Sequence, residues 1–303
     1  MLVVKLGGGD GMDLEACLDD IAALWQLGRQ LVIVHGGADE TTELGERLGH
    51  PARFVQSPNG MTSRYTDRET VEILAMACAG RRNVTMVEGL QRRGVNAVGL
   101  AGVDGQVLRG PRKSAITVVE NGKRMILRDD HTGKVTQVNT HLLKLLLAGG
   151  YLPVLCPPAI SEQQEAMNID GDRAAAAVAM ALRAGALVIL SDVPGLLRDR
   201  HDHATLVEHV SLDRMEEAMA LAAGSMRKKL LGAREALEGG VPRVILGLGR
   251  EQAPIQRALA GAGTVMEAGP VVVAGVAAPA AATGDGGATS AVQERPEGVR
   301  GCP

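Results

Sequence analysis

Aromatic side chains are nearly absent: the 303 residues hold one Trp, two Tyr and one Phe, at Trp25, Tyr65, Tyr151 and Phe54. A platform that stacks successive bases needs several such rings, so no nucleic-acid partner is expected, and the core must be built from Leu, Val, Ile and Ala. Cysteine is also scarce. Cys17, Cys78, Cys156 and Cys302 form no C-x-x-C pair and have no His at zinc spacing, the pattern of buried thiols in a reducing cytosol. No apolar run reaches the ~18–20 residues of a membrane span. No charged leader precedes a cleavable apolar segment, so no targeting peptide and a cytoplasmic location are expected. An excess of one charge is missing too. The 32 basic and 35 acidic residues leave a net charge of −3, so no global field draws the chain to nucleic acid or membrane.

What is present is an ordinary globular balance, 46% hydrophobic and 22% charged, in a chain long enough for two small domains or one large α/β unit. Short apolar runs at residues 2–6, 31–34, 97–100, 151–156, 186–190 and 243–246 read as strands, the last being the final clear one. Helical periodicity predicts helices over residues 14–27, 41–48, 67–78, 84–93, 139–148, 172–184, 212–222 and 226–238. This alternation predicts a three-layer αβα sandwich with a mainly parallel central sheet. Residues 115–119 and 124–127 flank Glu120-Asn121-Gly122-Lys123, where Asn-Gly between β-rich runs predicts a hairpin. A boundary near 165–170 would divide the chain into two lobes with a cleft between them. From about residue 268 the sequence becomes Ala, Gly and Pro, and residues 268–303 are expected to be a disordered tail.

Three glycine-rich corners follow strands: Lys5-Leu6-Gly7-Gly8-Gly9, His35-Gly36-Gly37 and Ser191-Asp192-Val193-Pro194-Gly195. Glycine at the carboxyl end of a parallel strand lets backbone N–H groups approach an anion, and the following helix adds its positive end. The corners do not fit two familiar phosphate loops. Counting from Gly7, the sixth position of a dinucleotide fingerprint is Met12, and neither Gly122-Lys123 nor Gly133-Lys134 is followed by the Ser or Thr of a Walker A loop. Asp170 and Asp172 open the Ala-rich helix, where either could simply cap end N–H groups. Lys228 and Lys229 lie at the start of a helix, a site slightly unfavourable for cations.

Taken in order, K-L-G-G, V-I-V-H-G-G, M-N-I-D-G-D-R-A-A, L-S-D-V-P-G-L-L and G-x-M-x-x-K resemble the amino-acid kinase family over roughly residues 1–266. The spacing is similar to that of N-acetylglutamate kinases. H-G-G-A-x-E-T, S-R-x-T-D-R and Y-L-P-V-L-x-P-P-A most resemble the lysine-biosynthetic branch, the [LysW]-aminoadipate kinases. The resemblance implies a carbamate kinase-like fold, with residues 1–166 as an acyl-substrate lobe and 167–267 as an ATP lobe. It also implies a homodimer. The activity implied is phosphorylation of the side-chain carboxylate of an N-acylated acidic amino acid by ATP, with Mg²⁺ bound mainly by phosphates and water.

Position by position, Lys5 matches the family lysine that stabilises the transferring phosphoryl group, Lys229 the second such lysine, and Asp172 the aspartate that holds both. Gly8 lies in the first glycine turn. Gly36 and Gly37 lie in the second, which meets substrate and γ-phosphate. Arg64 matches the arginine for the substrate's α-carboxylate, a bidentate task suited to a planar guanidinium. Asn168 matches the asparagine at the acylated amino end. Ser191, Asp192, Val193, Pro194, Gly195, Leu196 and Leu197 match the nucleotide loop. The chain departs from the family at Ala38, where a third glycine is usual. It departs again at Asp170, where acetylglutamate kinases commonly carry Asn; this puts free acetylglutamate in doubt as substrate. No helix precedes the first strand, so the arginine-inhibition device of some acetylglutamate kinases is expected to be missing.

Around the hairpin six basic side chains, Arg109, Arg112, Lys113, Lys123, Arg124 and Arg128, accompany a single acid, Glu120. Arg81-Arg82 and Arg92-Arg93 are expected to add to this charge. In the resembling branch the substrate's amino group is joined to the C-terminal Glu of LysW, a small acidic carrier protein. A basic rim at Lys113, Lys123 and Arg124 would speed such an encounter; alternatively it is a charged edge that discourages strand pairing. Two further functions stay open: N-acetyl-L-glutamate 5-kinase of arginine biosynthesis, and a non-catalytic nucleotide-sensing module.

Overall fold

The computed structural model describes residues 1–8, 11–58, 60–120 and 122–269. The tail expected over 268–303 therefore lies almost wholly outside the described residues. The strands of the central sheet are Leu2–Leu6 (β1), Leu31–His35 (β2), Ala97–Ala101 (β3), Leu152–Cys156 (β4), Ala186–Ser191 (β5), His209–Ser211 (β6), Arg243–Leu248 (β7) and Thr264–Glu267 (β8). Their spatial order is β6-β8-β7-β5-β1-β2-β4-β3. Every pairing is parallel except that of β7 with β8. β6 and β8 lie outside the predicted strands; at three and four residues they show little period of their own.

The helices are Leu14–Gln26 (α1), Ala38–Arg47 (α2), Arg68–Ala75 (α3), Val84–Arg92 (α4), Thr140–Ala148 (α5), Gly171–Leu182 (α6), Met215–Leu221 (α7), Gly224–Glu238 (α8) and Pro254–Leu259 (α9). Parallel strands covered on both faces are apolar throughout, and alternate side chains go to opposite cores. Leu2, Val4 and Leu6 pack with Leu18 and Ile21 of α1, Met86 and Leu90 of α4 and Ile255 of α9. Val3 packs instead with the alanines of α6, Leu230 and Ala233 of α8 and Leu143 of α5. The αβα sandwich is thus as expected. The alanine run of α6 is buried on nearly all sides, because it lies between the sheet and α8, and only small side chains admit both neighbours.

A π-helix, Met76–Asn83, joins α3 to α4 in place of a simple break. The hairpin, Ala115–Glu120 paired with Lys123–Arg128, belongs to a four-stranded sheet completed by Phe54–Gln56 and Thr62–Arg64. A third sheet contains Leu108–Gly110, Thr132–Gly133, Ala159–Ser161 and Ala166–Ile169. Cys17, Cys78 and Cys156 are buried free thiols. Burial pushes the first two up to about 12 and Cys156 higher still. No helix among the described residues is long and apolar enough to cross a membrane.

Candidate active site

Register brings the three glycine corners together. Leu6, the last residue of β1, is paired with His35 of β2 on one side and Leu190 of β5 on the other. The turns that leave these three neighbouring strands therefore share one stretch of the sheet's carboxyl edge. Gly7 N–H donates to Leu190 O at 3.0 Å. A Cβ on Gly8 would lie 3.7 Å from Gly37 Cα, whereas one on Gly36 would meet nothing within 4 Å. The first two corners thus face each other, and the space at Gly36 is open.

Parity then places the lysine. Lys5 is two residues beyond Val3, so it leaves the strand on the α6–α8 side. Its Nζ lies 2.7 Å from Asp172 Oδ1, in the first turn of α6. The other carboxylate oxygen, Oδ2, lies 3.3 Å from Nζ of Lys229. Lys229 belongs to the stripe that α8 turns inward, with Leu230, Gly232, Ala233, Ala236 and Leu237. All three charged residues are 7% exposed. Burial alone would raise Asp172, but the two ammonium groups outweigh it and hold the carboxyl below its ordinary value. Lys229 is pushed down by burial and by Lys5, with Asp172 opposing. The three side chains together therefore carry one net positive charge in a buried setting, held by one carboxylate between two cations.

Asp170 and Asp172 turn out to have separate tasks. Asp170 Oδ1 accepts the N–H groups of Asp172 and Arg173, each at 3.0 Å, and so caps α6. Burial, with Asp172 nearby, raises the Asp170 carboxyl. Asp172 is left free for the lysines. Arg173 is tied to Glu235 of α8 at 2.9 and 2.5 Å, which locks the two helices that carry Asp172 and Lys229.

Arg64 ends its strand over α2. One nitrogen, Nη2, donates to Ala38 O at 3.0 Å and to Thr42 Oγ1 at 2.7 Å, and the guanidinium carbon stands 5.0 Å from the Phe54 ring centroid. Burial lowers its pKa, with Asp39 opposing. Asn168 stands two residues before the α6 cap, and its Nδ2 donates to Thr66 Oγ1 at 3.2 Å. Thr66 closes the segment that carries Arg64, so the two residues share one support.

In the third corner Asp192 is exposed, while Val193 and Pro194 are half-buried. Leu196 and Leu197 are core side chains, 1% and 8% exposed; they can serve a ligand only through their backbone. Leu196 N–H donates to Thr264 Oγ1 at 2.8 Å, and that hydroxyl donates to Val207 O at 2.7 Å. The loop is therefore pinned beyond its tip.

Motif reading passed over several residues that support these corners. Arg82 pairs with Glu40 and donates to Gly7 O at 2.7 Å. Asn83 donates to His35 Nε2 and to Val154 O, both at 3.0 Å. His35 Nδ1 lies 2.7 Å from Gly36 O, so the ring donates there and accepts from Asn83, the neutral Nδ1–H tautomer. Burial lowers its pKa to about 4. The π-helix supplies both Arg82 and Asn83, in keeping with the frequent use of such turns at functional sites. The expectation that Arg81, Arg82, Arg92 and Arg93 add to a basic rim is corrected: they pair with Glu43, Glu40, Glu88 and, for Arg93, Glu15 and Asp19. Arg112 is likewise engaged, with Glu165 and Asp129. Lys113, Lys123, Arg124 and Arg128 are exposed, and Glu120 is held by Arg53 at 2.6 Å.

The profile of the amino acid kinase family matches residues 1–247. The chain belongs to this family. Its fold is that of the amino acid kinases, and it is a phosphotransferase that uses ATP. The kinase is 54% identical to a [LysW]-aminoadipate kinase of Deinococcus radiodurans over 266 residues, 88% of this chain and 91% of that protein. It is 51% identical to a [LysW]-aminoadipate kinase of Thermus thermophilus over 268 residues, 88% and 100% of the two chains. Among solved structures, the N-acetylglutamate synthase of Neisseria gonorrhoeae bound to coenzyme A and N-acetyl-glutamate superposes with a TM-score of 0.72 and 26% identity. That match covers 89% of this chain and 59% of the other. Giardia carbamate kinase gives 0.63 at 17% identity, covering 88% and 98%, and shows the common fold.

Proposed function

We propose that this kinase transfers the γ-phosphoryl group of ATP to the side-chain carboxylate of carrier-linked L-2-aminoadipate, a step of lysine biosynthesis. One observation carries the chemistry: Asp172 holds Lys5 at 2.7 Å and Lys229 at 3.3 Å on opposite oxygens. The relatives in Deinococcus and Thermus support the substrate.

The reaction joins two anions. A carboxylate oxygen of the substrate attacks the γ-phosphorus, the bond from that phosphorus to the bridging oxygen breaks, and ADP leaves with the electron pair. The attacking carboxylate is already ionised at neutral pH, so no general base is required. What the protein must supply is alignment and positive charge. In this reading Lys5, on the strand side, and Lys229, on the helix side, lie against the transferring group and the ATP phosphates. The backbone N–H groups of Gly8, Gly36 and Gly37 face the same group. Ser191, Asp192, Val193, Pro194, Gly195, Leu196 and Leu197 line the nucleotide, with Mg²⁺ entering on its phosphates. Arg64 takes the substrate's α-carboxylate and Asn168 its acylated nitrogen. Residues 1–166 then serve the acyl substrate and 167–267 the nucleotide.

Exposed Lys113, Lys123 and Arg124 serve as the landing surface for the acidic carrier, with apolar Met125 and Ile126, 44% and 65% exposed, beside them. Rim charges of this kind act mainly on the encounter rate and fade with salt. The reading includes a cytoplasmic homodimer. The open edge strand β3 packs on the π-helix, which exposes Met76, while Val84 is exposed just after it; light scattering measures the mass.

The deciding experiment assays carrier-linked aminoadipate, free N-acetyl-aminoadipate and N-acetylglutamate side by side. Preference for the carrier-linked substrate is expected. Preference for acetylglutamate would move the enzyme to arginine synthesis. Charge reversal at Lys113, Lys123 and Arg124 should raise the KM for the carrier-linked substrate and spare ATP. Carrier kinetics unchanged across a salt series would remove the landing surface.

A further inference from the structure

The hydroxyl of Thr66 has one hydrogen. It donates to Arg64 O at 3.2 Å. Toward Asn168 it can therefore only accept, and the atom that meets it, Nδ2 at 3.2 Å, is the donor end of that side chain. This settles which way round the amide lies. Among the described residues Asn168 Oδ1 has no hydrogen-bond partner, and that atom is not sealed from solvent. Asn168 thus presents an acceptor.

Thr66 is in no position to give way. It is fully buried. Its C=O accepts from His131 N–H at 2.7 Å, and Asn168 N–H donates to His131 O at 2.7 Å. Its own N–H points at Asp130 Oδ1, 3.4 Å away. Asp130 is also fully buried, and its other oxygen accepts from the backbone N–H of Thr132 at 3.2 Å and from the Thr132 hydroxyl. The backbones of Thr66, His131 and Asn168 are therefore bonded into one unit, braced from behind by a carboxylate.

We propose that Thr66 is a positioning residue that fixes the Asn168 amide with its carbonyl oxygen outward, so that the site selects substrates whose α-nitrogen still carries an N–H. This rests on the assignment of Asn168 to the acylated end of the substrate. A secondary amide offers one donor there and no acceptor, which is complementary to Oδ1. An ester oxygen at the same place offers only lone pairs and meets the carbonyl oxygen head-on. A site built around a hydrogen bond rejects the analogue that lacks it far more strongly than an apolar pocket rejects a misfit.

The test compares N-acetyl-2-aminoadipate with O-acetyl-2-hydroxyadipate, equal in shape, as competitive inhibitors of the acyl substrate. On the wild-type enzyme the ester should bind weaker by about tenfold or more. Thr66→Val keeps the shape and the bonds of the Thr66 backbone but removes the hydroxyl, and with it both the acceptor that holds Nδ2 and the donor to Arg64 O, a loss common to the two compounds. The N-acyl compound should then lose about tenfold, the ratio should fall toward one, and the KM for ATP should stay within about twofold. Thr66→Ser should restore the wild-type ratio. A ratio is independent of the folded fraction of a sample, so a loss of stability does not imitate the effect. If Thr66→Val retains the wild-type ratio, the proposal is overturned. Equal potency of the two compounds on the wild type also overturns it, and that comparison needs no variant. Asn168→Ala separates the layers: if it leaves the KM of the acyl substrate unchanged, the underlying assignment fails and takes the inference with it. A raised KM with no effect of Thr66→Val sinks the inference alone.

Discussion

A Cβ placed on Gly232 of α8 would lie 3.2 Å from the carbonyl carbon and oxygen of Asp172 on α6. Gly232 is one turn beyond Lys229, on the same inward stripe. The missing side chain lets the two helices close, and that closeness sets how far the Lys229 ammonium must reach to the carboxylate. Gly232→Ala should separate stability from activity. Helix propensity favours Ala by about 1 kcal/mol, while forcing the helices apart costs roughly 1–3 kcal/mol. Melting should therefore shift only modestly, whereas kcat should drop about tenfold as Lys229 is drawn away from Asp172. Unchanged kcat in a well-folded variant would show that the helix spacing does not matter.

Lys5→Ala should lower kcat by about 10²–10³ with the protein still folded, as expected for loss of a charge aimed at the transition state. Retained turnover would show that the roles are misassigned.

Asp172→Asn leaves two ammonium groups facing one another in a buried setting. Breaking such an arrangement costs roughly 3–5 kcal/mol, measurable as a lower urea midpoint at pH 7. The wild-type Asp172 carboxyl is held below its ordinary 3.8. Its stabilising contribution is therefore complete above that value and disappears as pH falls through the lower folded value.

His35 makes an acid-side prediction of its own. Its folded pKa is about 4 against an ordinary 6.5, so between these values the unfolded chain binds a proton that the folded one does not. Stability should fall by roughly 3 kcal/mol as pH drops from 6.5 to 4. His35→Gln should flatten that slope in pH-dependent chemical denaturation. A parallel slope in the variant would assign the loss to carboxylates instead.

Lys229, lowered chiefly by burial and by Lys5, should give kcat an alkaline limb below the 10.5 of an ordinary lysine. Asp170 opposes that shift, so Asp170→Asn should move the limb to lower pH. Asn caps a helix nearly as well as Asp, so stability should change by less than about 1 kcal/mol. A limb that does not move would show that Lys229 is not the titrating group.

Which parts of this were legible beforehand depends on the range of the interaction. The π-helix at 76–83 was not, because its sequence also suits an α-helix and tertiary packing decided between them. The Arg82–Glu40 pair joins residues 42 apart, and the Thr66–Asp130 contact residues 64 apart. Neither separation carries a period or spacing that a sequence could display. Counting charges likewise overstated the basic rim, since Arg81, Arg82, Arg92 and Arg93 find partners on neighbouring helices.

By itself, the order of residues determined the layered α/β architecture and the three glycine corners, because apolar period and turn chemistry are local properties; Lys5, Asp172 and Lys229 stood out only through the resemblance of their motifs to those of the amino acid kinases. Only the tertiary structure decided that Asp170 caps while Asp172 bridges, that Asn168 gives its amide nitrogen to Thr66, and that the three corners meet. Those outcomes depend on strand register and on helices approaching across a core, where buried charges and hydrogen-bond donors must find partners that the chain brings from far away.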